Sequence, residues 1–266
     1  MMNGTTYTPI FQGSNELINK ELNSKNSLYD IYSDFDWIKY KELNPYLYII
    51  GLRTQKEFED NFLLDGRYKG RPYKEEQKKK FSFHILLATI GNKSIYNIVA
   101  MLKYQLRDID YLTIVYDSKD VDNTLEGVKK LCSNFECKVN IIFEEHNLGF
   151  WGHGIRNKYT ELEGDFIYHI DDDDMVFEDT MDNIRKYCNH TETVYIFKIR
   201  LNNYSIIWVN KKVEYSKIST QSGVIPMNIN REGFWHLRYG GDFDFYNELS
   251  KTHNFVFIDK IIYKKS

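Results

Sequence analysis

Four consecutive carboxylates, Asp171-Asp172-Asp173-Asp174, stand directly behind the apolar run Phe166-Ile167-Tyr168-His169-Ile170 and ahead of Met175-Val176-Phe177. An acidic run is ordinarily a solvated loop or the first turn of a helix, where the macrodipole favours negative charge. Here a buried-type strand delivers it, and carboxylates crowded at a strand end repel one another unless a cation sits among them. Two carboxylates at Asp-x-Asp spacing, completed by phosphate oxygens, suit Mg²⁺ or Mn²⁺, hard cations that take oxygen ligands. Asp171 and Asp173 are the expected metal ligands and Asp172 joins the expected donor-binding residues; the unbroken run leaves the register open to Asp172 or Asp174 as a replacement. A cation there would bridge two phosphates and neutralise charge on a departing nucleotide. An EF-hand is excluded, because its sixth loop position demands Gly and this chain offers Val176 or Phe177. A dehalogenase-type nucleophile motif would want Thr or Val where Met175 stands.

Further polar clusters sit where other strands should end. Thr89-Ile90-Gly91-Asn92 is a small-residue turn that lets backbone amides approach a ligand. Asp117 and Ser118 follow the run 112–116, where a carboxylate could accept a hydrogen bond from a base or ribose, although both residue types are also ordinary helix caps. Asn147-Leu148-Gly149-Phe150-Trp151-Gly152-His153-Gly154-Ile155-Arg156 reads as a loop closing on a ligand, with Asn147 and Gly149 near it and Arg156 aimed at phosphate. Its glycines are too irregular for a dinucleotide fingerprint, and no Walker lysine accompanies them. Downstream, Gly240-Gly241-Asp242 opens a helix, and Asp242 could act as general base on an acceptor hydroxyl or could simply cap the helix. Phe234, Trp235 and Trp151 offer flat faces for a sugar at an acceptor site.

These residues need a scaffold that brings strand ends together. From residue 81 onward apolar strands alternate with amphipathic helices: strands over 83–88, 112–116, 139–143 and 165–170, helices over 94–106, 123–133 and 154–162. Steps of about 30 residues predict right-handed βαβ units and a parallel sheet, whose ligands bind beyond the carboxyl ends of the strands. Residues 1–80 read differently, polar and rich in Lys, Glu and Asn, with helix-like patches at 16–22 and 55–64, a strand-like run at 46–50 and a charged linker at 74–80. The expected organisation is an N-terminal accessory segment, 1–80, and a catalytic α/β domain, 81–266.

The four strand-end clusters and their order resemble those of GT-A glycosyltransferases, particularly family-2-like inverting enzymes, over about 170 residues. The segment Gly164-Asp165-Phe166-Ile167-Tyr168-His169-Ile170-Asp171-Asp172-Asp173-Asp174 is close to the usual form of the family. Gly240-Gly241-Asp242 resembles its Glu-Asp helix start, with Gly241 standing where the family carries Glu. The resemblance implies a GT-A, Rossmann-like, mostly parallel central sheet flanked by helices. It implies a sugar moved from a nucleotide-diphosphate sugar, UDP by default, to a hydroxyl of a carbohydrate or glycoprotein acceptor, with Mn²⁺ or Mg²⁺. Asp117 would contact the base, Asp171 and Asp173 the metal, and Asp242, or Asp244 in its place, would be the base of a single inverting displacement. A histidine often completes the metal shell in related enzymes, which makes His253 or His236 a candidate.

Composition excludes several classes. A net charge of -3 and pI near 6.2 give no basic field for nucleic acid. Three scattered cysteines fit reduced thiols rather than a disulfide framework or zinc site. No stretch approaches a bilayer span and no signal-like start is present, so a soluble, cytoplasmic protein is expected. Two rival readings share the scaffold: a nucleotidyltransferase, which would want a Gly-rich basic loop where only Gly91 and Lys93 occur, and a catalytically silent sugar- or nucleotide-binding protein.

Overall fold

Strand β1 (Phe83–Thr89) is buried at every position, as a strand covered on both faces must be. In the computed structural model, which describes residues 32, 35–67, 71, 73, 81–117, 124–208 and 210–265, it is the middle of a parallel set. It pairs with β2 (Tyr111–Tyr116) on one side and β4 (Phe166–Asp171) on the other, and β2 pairs with β3 (Lys138–Phe143). The register sets Thr89 beside Tyr116, Tyr116 beside Phe143 and Ala88 beside Asp171. All four carboxyl ends therefore open on one edge. That edge is where the sequence places its polar clusters.

Helices α4 (Ile95–Lys103), α5 (Thr124–Cys132) and α6 (His153–Lys158) make the crossovers. The last is shorter than the expected 154–162, since Tyr159 leaves helical geometry at φ −104°, ψ 56°. Beyond β4 the sheet continues through β5 (Met175–Val176), α7 (Thr180–Tyr187), β6 (Thr193–Arg200), β7 (Ile206–Ile207), β8 (Gly223–Pro226), helices α8 (Met227–Asn230) and α9 (Gly241–Leu249), and β9 (Asn254–Lys264). The strand order is β3-β2-β1-β4-β8-β6-β9-β5, with β7 on β6. Strand β8 runs antiparallel between β4 and β6, and β6 and β9 are parallel. The result is a mixed α/β sheet, mostly parallel. Its core gathers Leu86, Val115, Ile155, Ile225, Trp235 and Phe245.

By contacts the chain divides into two compact units, one within Met1–Leu43 and Leu52–Lys78, the other within Asn44–Gly51 and Lys79–Ser266. The first holds α1 (Trp37–Leu43) and α3 (Gln55–Asn61), the latter started by a reciprocal Thr54–Glu57 capping box and continued by a π-turn, Phe62–Gly66. Phe35 stacks on Phe62 at 4.5 Å, and Arg71 pairs with Asp65 at 2.5 Å. The expected strand at 46–50 is instead helix α2 (Pro45–Ile49) of the second unit. Pro45 at its first position presets the helical φ and spares an orphan N–H, which overrides the strand-like apolar run. The expected helix at 16–22 and linker at 74–80 lie outside the described residues. Among the described residues no helix is long and apolar enough to cross a membrane.

Candidate active site

Two cavities open beyond the carboxyl edge of the sheet. The first, about 450 Å³, is lined by Thr89, Ile90, Asp117, Asn147, Gly149 and the Asp171–Asp173 run, among others. Its walls are tied together by side chains. Asp117, 4% exposed, accepts from the backbone N–H of Leu148 at 2.6 Å and of Gly149 at 3.0 Å. Thr89 donates its hydroxyl to Asp172 and accepts from the Gly91 N–H at 2.8 Å, while the Asn92 N–H reaches the same Asp172 oxygen at 3.3 Å. Burial raises the Asp172 carboxyl above its ordinary value, against the pull of the Thr89 bond.

The loop from Gly149 to Gly152 is left-handed throughout, with φ of 65°, 55°, 52° and 79°. Two of those four residues, Phe150 and Trp151, carry side chains, and such a backbone costs an L-residue about 1–2 kcal/mol. The turn is held from both ends, by Asp117 at Leu148 and Gly149 and by Arg156, whose guanidinium donates to the Trp151 carbonyl at 2.7 Å. Trp151 itself stays 68% exposed.

The second cavity, about 500 Å³, shares Trp151, Asp171 and Asp173 with the first and adds His153, Asp242, Tyr239 and Lys265 among its lining residues. Helix α9 brings Asp242 there in its first turn, with Gly240 as N-cap, so Asp242 is not the cap. The Asp242 carboxylate accepts from the Phe243 N–H at 2.8 Å. His153 donates Nδ1–H to the His236 carbonyl at 2.9 Å, which fixes its neutral tautomer; burial first, then Arg156, depress its pKa. A Cβ on Gly241 would stand 2.0 Å from the His236 carbonyl and 2.8 Å from His153 Nδ1. No side chain fits, which accounts for Gly where the family resemblance expects Glu.

Asp171 sits where the cavities meet, and both its oxygens are engaged. Arg156 donates to Oδ1 and Gln221 to Oδ2, and the Tyr263 hydroxyl bridges its backbone N–H and C=O at 3.2 Å. Arg156 is completely buried, with its guanidinium 5.5 Å from the Trp235 ring centroid. It is therefore turned to Asp171 and the Trp151 carbonyl, not outward to a phosphate as its loop position suggested.

Other expected residues are also placed apart. Trp235 is 1% exposed and stacked on Phe245 at 3.9 Å, a core residue with no face for a sugar. Phe234 is exposed but lines neither cavity. Asp244 is held by Arg238 at 2.6 Å and also lies outside both cavity walls. His253 pairs with Glu232 at 3.0 Å, and His236 with Glu248 at 3.1 Å; neither lines the cavities. Ser118 lies outside the described residues. Sequence reading missed His153, Gln221 and Lys265. The one available signal was the polar run Ser219-Thr220-Gln221-Ser222 set directly before an apolar strand.

No protein-family model matches the sequence, and no curated protein matches it. Solved structures match it at low identity. Residues 1–349 of S. aureus TarS align with a TM-score of 0.55 at 17% identity over 70% of this chain and 60% of that one. The same TarS fragment in complex with UDP-GlcNAc gives 0.54, at 17% identity over 69% and 58%. The mannosyltransferase PcManGT from Pyrobaculum calidifontis, in complex with GDP-Man and Mn²⁺, gives 0.55 at 12% identity over 70% and 57%. The fold is of the GT-A type. This chain spans less than two thirds of each of these three structures.

The acidic residues fit a divalent cation in one particular way. Among the described residues no group of three or more His, Cys, Asp or Glu forms a cage. Mg²⁺-type sites, however, take one or two carboxylates plus substrate phosphates and water. Asp171 and Asp173 both border the two cavities, and each Asp171 oxygen, having accepted one hydrogen bond, retains a second lone pair. The donor set is hard oxygen, as Mg²⁺ or Mn²⁺ requires.

Proposed function

We propose that this protein is a glycosyltransferase that moves a sugar from a nucleotide-diphosphate sugar, UDP favoured, to a hydroxyl of a carbohydrate or glycoprotein acceptor. The observation that carries the reading is the pair of cavities meeting at Asp171, Asp173 and Trp151, with Asp242 bordering only the second. A donor in the first cavity would present its anomeric carbon to an acceptor in the second across that shared wall. Structures of similar fold hold UDP-GlcNAc or GDP-Man with Mn²⁺, which supports a nucleotide sugar as donor.

In this reading the Thr89–Asn92 turn and the loop held by Asp117 hold the nucleotide. Asp171, fixed by Arg156 and Gln221, and Asp173 would hold a divalent cation, which supplies charge neutralisation to the donor diphosphate. Asp242 takes the proton of the acceptor hydroxyl as that oxygen attacks the anomeric carbon in a single inverting displacement. In the same step the bond from that carbon to the donor diphosphate oxygen breaks, and the nucleoside diphosphate leaves with the electron pair. Trp151 packs against the sugar at the boundary. His153, a neutral imidazole in the same wall, adds no positive charge that would quench the Asp242 base.

A thermal-shift panel of UDP-, GDP-, dTDP- and CMP-sugars, each with Mn²⁺ or EDTA, tests the reading. Stabilisation by one nucleotide family that disappears with EDTA is expected. If no nucleotide raises the melting point with metal present, the donor site is not there and a silent binding protein becomes the better description.

A further inference from the structure

The second cavity has two chemical characters that a plain hydroxyl acceptor does not require. The first is aromatic. Trp151, Tyr215 and Tyr239 line it with rings 68%, 52% and 75% exposed, and Trp151 and Tyr239 meet edge to face at 6.1 Å. Open aromatic faces pack against the C–H face of a ring sugar better than against a flexible polyol.

The second is an ammonium. Lys265 is the only Lys or Arg among the described residues that line this cavity. Its backbone N–H donates to the Arg200 carbonyl at 2.8 Å, which anchors it just past the end of β9. Its Nζ donates to Ser219 Oγ at 3.2 Å, and Ser219 passes its own proton to Gln221 Oε1 at 2.7 Å. That partner is neutral. No described carboxylate lies within ion-pair distance of Nζ, whereas the other charged lining residues are Asp171, Asp173 and Asp242. An ammonium has three donors, so after Ser219 two remain. A half-buried cation with donors to spare is a point receptor for one anionic group here, because no other described side chain lining the cavity carries a positive charge to meet it.

We propose, resting on the glycosyltransferase reading of this cavity as the acceptor site, that the acceptor is a ring sugar bearing an anionic substituent, a carboxylate or a phosphate, received by Lys265. The aromatic rings hold the sugar face, the ammonium holds the anion, and repulsion from Asp242, the lining carboxylate outside both the cation site and the Arg156 pair, fixes which end of the sugar goes where. Lys265 is thus a specificity-determining residue.

Equilibrium titrations of the full chain with methyl β-D-glucoside, methyl β-D-glucuronide and methyl β-D-glucoside 6-phosphate test this. At least one anionic glycoside should bind at least about ten-fold tighter than the neutral one, a difference of about 1.4 kcal/mol. The tighter of the two anions identifies carboxylate or phosphate as the substituent. The preference should vanish in Lys265→Met and survive in Lys265→Arg, with melting temperature and UDP and GDP affinities like those of the parent chain. Equal binding of the three glycosides, no binding of any, or a preference that survives Lys265→Met overturns the proposal. So does a ten-fold loss of nucleotide affinity in Lys265→Met, which would assign the ammonium to the donor diphosphate. These titrations need no donor, so absent UDP and GDP binding in the parent chain sinks the glycosyltransferase reading on separate grounds.

Discussion

Replacing Asp117 by Asn changes one oxygen into an NH₂ group and removes one charge. The side chain is buried and its two oxygens receive the Leu148 and Gly149 amides at 2.6 and 3.0 Å. Asn keeps one acceptor, which the shorter Leu148 contact should claim. Its amide nitrogen then faces the Gly149 N–H, donor against donor. One charge-assisted hydrogen bond is lost, worth about 1.5–3 kcal/mol, and a buried N–H is left without a partner. For a folded unit of this size the melting temperature should fall by roughly 4–10 °C. The left-handed turn that begins at Gly149 loses one of the two hydrogen bonds by which residue 117 anchors it, so nucleotide affinity should fall with stability. Differential scanning calorimetry and UDP titration on the same preparations read both. A ten-fold loss of UDP affinity with an unchanged melting temperature would refute the reasoning, since Asp117 would then be touching the nucleotide rather than positioning the loop.

Asp242→Asn should lower transfer by about 10²–10⁴-fold while donor affinity holds, measured by single-turnover kinetics and nucleotide titration; lost donor binding would mean the carboxylate serves the donor. Trp151→Gly should leave stability unchanged or raise it by up to about 1 kcal/mol, because glycine relieves the left-handed strain, while transfer drops; a clear fall in melting temperature contradicts it. His84 is neutral in the fold, donating Nδ1–H to the Glu163 carbonyl at 2.7 Å and accepting the Thr113 hydroxyl at Nε2, and burial depresses its pKa below 6.5. The unfolded chain therefore takes up that proton first. The stability His84 contributes is present above pH 6.5 and lost as pH falls towards the folded pKa, by at most about 1.4 kcal/mol per pH unit. His84→Gln should flatten that part of the denaturation profile, and an unchanged slope would place the acid sensitivity elsewhere.

The strand ladder and the polar clusters at its ends were legible in the sequence because both are local signals. Runs such as Phe83–Thr89 and Phe166–Asp171 are mostly apolar, and a residue that follows a parallel strand must emerge at the ligand-binding edge. That alone brought Thr89, Asp117, Asn147 and the Asp171–Asp173 run to one cavity. The failure at 46–50 is also local: a five-residue apolar run has no period long enough to separate strand from helix, and Pro45 decided it. Direction was beyond the sequence. Arg156 and Trp235 have residue types and positions that suit a ligand, but the tertiary structure packs the guanidinium between Asp171, the Trp151 carbonyl and the Trp235 ring. A buried arginine is tolerable only with such partners, and they come from three separate segments. Likewise Gln221 and Lys265 reach the site only because β8 and β9 insert beside β4 and β6. Periodicity fixed which residues arrive at the edge. Long-range packing decided which of them face the cavities, since a side chain turns toward whatever partner satisfies its charge.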